Sequence, residues 1–267
     1  MSLAFLSMLI LGGFLGLALA IASRRFAVTV DPRVEQVIQV LPGANCGGCG
    51  FAGCSDYAGV VVEGKADIGL CGPGGAATAA AIARILNREG GGTRIKEIAR
   101  CTCQRQNVAT VAIYNGVRTC RGAALVGLGG GWLDCRYGCL GYGDCLKSCP
   151  FGAIRMDAGG RPEVDPALCV GCRKCATACP RGLMTVGPVD RPILVLCRNR
   201  DKGAVANKTC AHSCIACRRC EKACPREAIK ITNNLAEIDY GKCAGCGACV
   251  EVCPHHVIYR AAGGSAC

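Results

Sequence analysis

The sequence predicts an α+β chain held together at its cysteines instead of around one large apolar core. Three observations predict it. The first 23 residues carry no charged side chain, and a glycine-rich loop then gathers Cys46, Cys49, Cys54 and Cys71 into one short stretch. Four further runs of closely spaced cysteines each end in Cys-Pro and fall into two pairs. Aromatic residues make up only 4% of the chain and Gly numbers 38, so small stapled modules are expected in place of a conventional core.

Residues 1–25 read as a membrane anchor. Leu3 to Ile21 is apolar apart from Ser7 and the glycines, and nineteen helical residues reach about 28 Å, close to the hydrocarbon thickness. Arg24 and Arg25 follow at once, which by the positive-inside rule puts the rest of the chain in the cytoplasm. Ala18-Leu19-Ala20 resembles a signal-peptide cleavage site, but no Lys or Arg precedes the apolar stretch and the stretch is long, so a retained single-pass anchor is favoured. Gly12-x3-Gly16 offers a packing face to another membrane helix, or is simply glycine tolerated in a span.

In the 26–44 linker, Asp31 as N-cap and Pro32 at the first turn predict a short helix with Val34, Val37, Ile38 and Leu41 on one face, ended by Pro42. The 45–92 module follows. Gly47, Gly48, Gly50 and Gly53 let its loop fold tightly and turn N–H groups toward sulfur, and its four cysteines make one metal centre. Gly72-Pro73-Gly74-Gly75 opens a helix expected over 76–88. It satisfies G-x-G-x-x-A, yet a cysteine precedes it where a dinucleotide fold has a hydrophobic strand, so a helix start beside a metal centre is the better reading. In the 93–131 connecting segment, 108–114 reads as a strand and 123–131 as a Gly/Ala loop.

Two paired-comb units occupy 132–190 and 191–260, the latter with its lead-in, before a 261–267 tail. Three combs are regular: Cys169-x2-Cys172-x2-Cys175-x3-Cys179-Pro180, Cys214-x2-Cys217-x2-Cys220-x3-Cys224-Pro225 and Cys243-x2-Cys246-x2-Cys249-x3-Cys253-Pro254. A looser one, Cys135-x3-Cys139-x5-Cys145-x3-Cys149-Pro150, comes first. This is the bacterial-type spacing of two-cluster ferredoxins, in which the fourth cysteine ligates the neighbouring [4Fe–4S] cube. The rule groups Cys135, Cys139 and Cys145 with Cys179, and Cys169, Cys172 and Cys175 with Cys149. It likewise groups Cys214, Cys217 and Cys220 with Cys253, and Cys243, Cys246 and Cys249 with Cys224. The fold class is thus α+β, with a transmembrane helix, a four-cysteine iron–sulfur module and two tandem 2[4Fe–4S] ferredoxin domains.

The remaining cysteines are Cys101, Cys103, Cys120, Cys197, Cys210 and Cys267. A sixth cluster on Cys101, Cys120, Cys197 and Cys210 would add to the five, with Cys103 as neighbour or substitute. The alternative is that these are ordinary thiols. Disulfides do not suit combs that crowd four sulfurs together, and repeated three-cysteine combs are not the pattern of structural zinc. His212, His255 and His256 are assigned to surface or packing. The formal charge of +12 does not point to nucleic acid, because each oxidised cluster with four thiolates carries about −2 and five or six of them bring the assembled chain near neutrality.

The anchor, the run from Leu41 through Cys46, Cys49 and Cys54, the Cys71-Gly-Pro-Gly-Gly75 closure and the Cys135-Arg-Tyr-Gly-Cys139-Leu-Gly-Tyr-Gly-Asp-Cys145 segment together resemble the B component of the Rnf complex, the ion-translocating ferredoxin:NAD+ oxidoreductase of bacteria, in its long form. The resemblance implies a protein of the bacterial cytoplasmic membrane that works as one part of a larger complex. It would accept electrons from reduced soluble ferredoxin and relay them toward flavin- and NAD-containing partners that drive Na+ or H+ translocation. No catalytic residue and no complete active site is expected on this chain alone. The rival readings are a polyferredoxin component of another membrane enzyme, such as a hydrogenase or a formate-oxidising complex, and a zinc-stapled interaction protein.

Overall fold

A computed structural model describes residues 2–26, 31–89, 95–104, 108–126 and 132–261; Cys267 and residues 127–131 of the expected Gly/Ala loop lie outside them. Helix α1 (Ser2–Arg25) runs unbroken for 24 residues, about 36 Å at the helical rise. Its side chains from Phe5 to Ile21 face outward, and Arg24 and Arg25 close its last turn. It is long and apolar enough to cross a membrane.

The first module is helical. In α2 (Pro32–Val40) the Asp31 carboxylate accepts the Arg33 N–H at 2.9 Å, as its N-cap position predicts. With α3 (Cys54–Val62) and α4 (Gly75–Leu86), α2 buries Val37, Leu41, Ala58, Val61 and Ile82 around Tyr57. The Tyr57 hydroxyl donates to the carbonyls of Asp67 and Ile68 at 2.8 and 2.7 Å. Burial pushes it up to about 12, so it stays a neutral donor that ties α3 to the turn leading to Cys71.

Each ferredoxin unit is built from an outer strand pair and an inner hairpin. In the first, β1 (Glu97–Cys101) runs antiparallel to β4 (Met184–Pro188), with Cys101 opposite Met184. The hairpin β2 (Ile154–Met156) and β3 (Pro162–Val164) links its combs. Short helices α5 (Cys120–Leu125), α6 (Asp144–Lys147) and α7 (Lys174–Ala178) complete it. In the second unit, β5 (Ile193–Val195) pairs with β8 (Ile258–Arg260) and β6 (Ile229–Thr232) with β7 (Leu235–Ile238), around α8 (Gly203–Thr209), α9 (Arg219–Ala223) and α10 (Ala248–Glu251). Asn233 and Asn234, both at positive φ, form its two-residue hairpin turn, the geometry that matches strand twist.

Three features differ from the sequence-based expectation. Because β1 pairs with β4, the first unit starts near Glu97, and residues 102–138 form an insertion between its first strand and its first comb. Among the described residues, segment 108–114 makes only isolated bridges, Val108 to Cys210 and Thr110 to Leu133. Val111 and Ile113 stay exposed, so its apolar pattern finds no sheet to join. Part of the expected loop is α5, started by the Thr119 hydroxyl accepting the Gly122 N–H at 3.0 Å.

Candidate metal centres

The combs share one backbone device. Between the first and second cysteines, and again after the second, a residue takes positive φ: Gly171 and Arg173, Ala216 and Arg218, Gly245 and Gly247. Alternating right- and left-handed residues turn successive N–H groups toward one point, forming an anion-binding nest. Arg173, Ala216 and Arg218 adopt this conformation without being glycine, at a cost of roughly 1–2 kcal/mol each. After each Cys-Pro a further positive-φ residue (Gly152, Gly182, Glu227, His256) turns the chain back. The N–H groups of Leu183, Ala228 and Val257 then donate to the sulfurs of Cys179, Cys224 and Cys253 at 3.3, 3.2 and 3.4 Å. Such bonds favour an anionic sulfur.

In the second unit, Cys214, Cys217, Cys220 and Cys253 line one hollow of about 320 Å³, and Cys224, Cys243, Cys246 and Cys249 another of about 370 Å³. These are the crossed groupings. His255 borders the first hollow. In the N-terminal module Cys46, Cys49, Cys54 and Cys71 line a hollow of about 320 Å³. Asn45, at positive φ, accepts the Cys54 N–H on its side-chain oxygen at 2.8 Å and so starts α3 beside that centre. Cys149, Cys169, Cys172 and Cys175 are electrostatic neighbours in the first unit, and the Ala99 N–H donates to Cys169 Sγ at 3.3 Å.

The first comb does not assemble as its spacing suggested. Gly141 and Gly143 take the two left-handed positions, so the comb's true frame is Cys139-x2-Tyr142-x2-Cys145-x3-Cys149, with Tyr142 where the other combs have their second cysteine. Cys120, the first residue of α5, comes in from the insertion. With Cys101, Cys139, Cys145 and Cys179 it lines a hollow of about 380 Å³ that Cys135 does not reach. The Arg121 N–H donates to Asp144 at 3.0 Å, fastening α5 to α6. Cys135 instead lies within electrostatic range of Cys197 and Cys210. The expected set of Cys101, Cys120, Cys197 and Cys210 is therefore divided between two places. The register of Gly141 and Gly143 against Gly171 and Arg173 was the sequence signal for the Tyr142 frame.

Burial pushes the Cys145 and Cys220 thiols up to about 12, and those of Cys175 and Cys249 to about 11. A hydrogen bond with Cys139, then burial, raises Cys101 strongly. Thiols gathered in such hollows become thiolates only against a compensating positive core. An all-thiolate donor set with N–H···S bonds fits a [4Fe–4S] cluster. The N-terminal and first-unit centres abut. A Cβ on Gly48 would lie 3.1 Å from Cys172 Cα, and one on Gly72 2.7 Å from the Val170 carbonyl oxygen. Close approach to the neighbouring centre thus accounts for Gly72 in the G-x-G-x-x-A stretch.

Family comparisons find iron–sulfur modules in three of these stretches. The model described as "Putative Fe-S cluster" matches residues 41–73, and the 4Fe-4S dicluster domain matches 134–183 and 213–258. The B component of the Na+-translocating ferredoxin:NAD+ oxidoreductase complex of Acetobacterium woodii is 47% identical over 93% of this chain and 74% of its own length. Its counterpart in the ion-translocating oxidoreductase complex of Methanosarcina acetivorans is 43% identical over 93% and 94%. The counterpart in the proton-translocating ferredoxin:NAD+ oxidoreductase complex of Clostridium ljungdahlii is 40% identical over 92% and 88%.

Proposed function

The chain belongs to the family of B components of ion-translocating oxidoreductase complexes, and from that premise we propose that it is the complex's electron wire. It accepts electrons from reduced soluble ferredoxin and delivers them toward flavin- and NAD-containing partners that move Na+ or H+. The observation that carries this reading is the abutment of neighbouring thiol hollows, Gly48 against Cys172 above all. When bound, each cluster takes up and releases a single electron.

The protein's own residues hold the clusters, tune them and keep water away. The ligands would be Cys46, Cys49, Cys54 and Cys71 in the module and the crossed comb sets in the units, with Cys120 in place of Cys135 beside Cys139, Cys145 and Cys179. The N–H···S bonds favour the added negative charge, and the burial of Cys145, Cys169, Cys175, Cys220 and Cys249 limits solvent at the sulfurs. The anchor α1 holds the N-terminal module at the bilayer, with the body on the cytoplasmic side.

The far end suits a soluble donor. Cys217 and Cys246 are exposed, and residues 191–260 carry twelve Lys and Arg against six Asp and Glu. Arg218 and Arg219 beside Cys217 are the natural contact for an anionic partner, since complementary charge raises the rate of encounter. The test is ferredoxin-dependent NAD reduction by the intact complex with Arg218→Glu/Arg219→Glu in this chain. A several-fold rise in apparent KM for ferredoxin, suppressed at high salt, is expected. An unchanged KM would reject this docking face, and copurifying nickel or molybdenum would reject the complex assignment.

A further inference from the structure

With Cys120 assigned to the Tyr142 frame, four cysteines remain among the described residues that belong neither to the hollows above nor to the Cys149, Cys169, Cys172 and Cys175 group: Cys103, Cys135, Cys197 and Cys210. They come from four separate segments: Cys135 is an electrostatic neighbour of Cys197 and Cys210, and Cys103 shares the Arg181 guanidinium with Cys135. The Cys139 N–H donates to Cys103 Sγ at 3.4 Å. Cys135 is buried, within electrostatic range of Cys210 and Arg181. Cys197 is buried too, has Cys135 in its electrostatic surroundings, and accepts N–H groups from Asn199 and Cys214 at 3.4 and 3.3 Å. Contacts between the units lock this seam: Arg136 pairs with Asp201, Gln104 donates to the His256 carbonyl at 2.7 Å, and Arg198 donates to Thr102 at 3.3 Å.

We propose that Cys103, Cys135, Cys197 and Cys210 hold a further [4Fe–4S] cluster, which bridges the two ferredoxin units. The donor set is four sulfurs, which suits zinc or an iron–sulfur cube. Geometry separates the two. Among the described residues no three such side chains converge closely enough for a single ion, whereas a cube holds its ligands apart around a larger core. Among the described residues, two buried nitrogens beside the set have no hydrogen-bond partner, Asn199 Nδ2 and His212 Nδ1. Asn199 is only 1% exposed, and an orphaned amide donor there is costly unless an acceptor such as a cluster sulfide takes it. Arg181 supplies countercharge close by, fixed by donation to the Cys135 and Gly138 carbonyls at 3.1 and 2.8 Å.

The position gives the site its role. On one side Cys139, a ligand of the first unit, donates its N–H to Cys103; on the other Cys214, a ligand of the second, donates to Cys197. A cluster here makes the two units one continuous path.

This inference rests on the iron–sulfur reading of the chain, and its test separates the two. Iron, acid-labile sulfide and zinc are measured on the anaerobically purified full chain and on Cys197→Ser/Cys210→Ser, with EPR of the reduced proteins. The expectation is about 24 iron atoms per chain falling to about 20 in the variant, with one reduced-cluster signal lost. If the double variant does not fold, Cys210→Ser alone, at the half-buried corner, is read for the same altered signal. Some 20 iron atoms in both proteins, or one zinc lost from the variant with iron unchanged, would overturn the bridging cluster and leave the rest standing. Iron absent from the wild-type chain would overturn the underlying reading instead.

Discussion

Arg181 offers the most direct test of how this fold sets its redox properties. It follows Cys179-Pro180, and although burial disfavours its charge, the sulfurs of Cys135, Cys139, Cys103 and Cys179 are electrostatic neighbours that favour it. Removing its charge should make reduction of the neighbouring centres harder. A unit charge about 7 Å from a cluster interacts with an added electron by about 2.4 kcal/mol at an effective dielectric near 20. At 59 mV per tenfold change for one electron, that is about 100 mV. Arg181 is only half-buried, and solvent screening reduces the figure to about 50 mV. Arg181→Gln should therefore lower the midpoint of the centre on Cys120, Cys139, Cys145 and Cys179 by about that amount in an EPR-monitored redox titration. The substitution also removes donors to the Cys135 and Gly138 carbonyls, so Arg181→Lys is the control that keeps the charge. If lysine shifts the midpoint as far as glutamine does, the effect is structural. A shift below about 15 mV, or an upward one, would refute the electrostatic account.

Three other outcomes are expected. Cys120→Ala should disturb the centre shared with Cys139, Cys145 and Cys179, and Tyr142→Cys added to it should restore four-iron occupancy by Mössbauer spectroscopy; no rescue would mean that Tyr142 is not the vacant comb position. Gly48→Val should push the N-terminal module off the first unit, because its Cβ would already stand 3.1 Å from Cys172 Cα, and overpacking of this kind costs about 1–3 kcal/mol. Faster hydrogen exchange at 170–172 and weaker magnetic coupling between the two centres would report it. In the iron-free chain, Cys145 and Cys220 keep their protons to about pH 12 when folded, whereas an unfolded thiol loses its proton near pH 8.5–9. The unfolded state then binds fewer protons over that window, so the urea midpoint should be flat below pH 9 and fall above it. A midpoint that holds or rises above pH 9 would show these thiols already ionised in the fold.

The proposed metal centres legible in the sequence are those in which one short segment supplies most of the thiols. In a comb, three cysteines within seven residues and the left-handed positions between them are a local property of the chain, so spacing alone groups Cys214, Cys217 and Cys220. The first unit departs from this because the position of its second comb cysteine holds Tyr142, and the sulfur that lines the hollow with Cys139 and Cys145, which we propose as the ligand, comes from Cys120, on a helix 25 residues before Cys145. Nothing local couples the two; they meet through the Arg121 to Asp144 bond and the packing of Ala123, Leu133 and Leu140. The same applies to the outer strands. β1 is five residues long and its partner β4 lies more than 80 residues on, so pairing is decided by the closure of the whole unit, and Cys101 is carried into the hollow only when that closure occurs. Counting cysteines without the backbone frame placed Cys135 in the first comb, because x3 and x5 gaps can be stretched around a cube in principle. Positive φ at Gly141 and Gly143 removes that freedom. It ties Cys139 and Cys145 to the comb and leaves Cys135 facing the seam, with the sulfurs of the second unit as its neighbours.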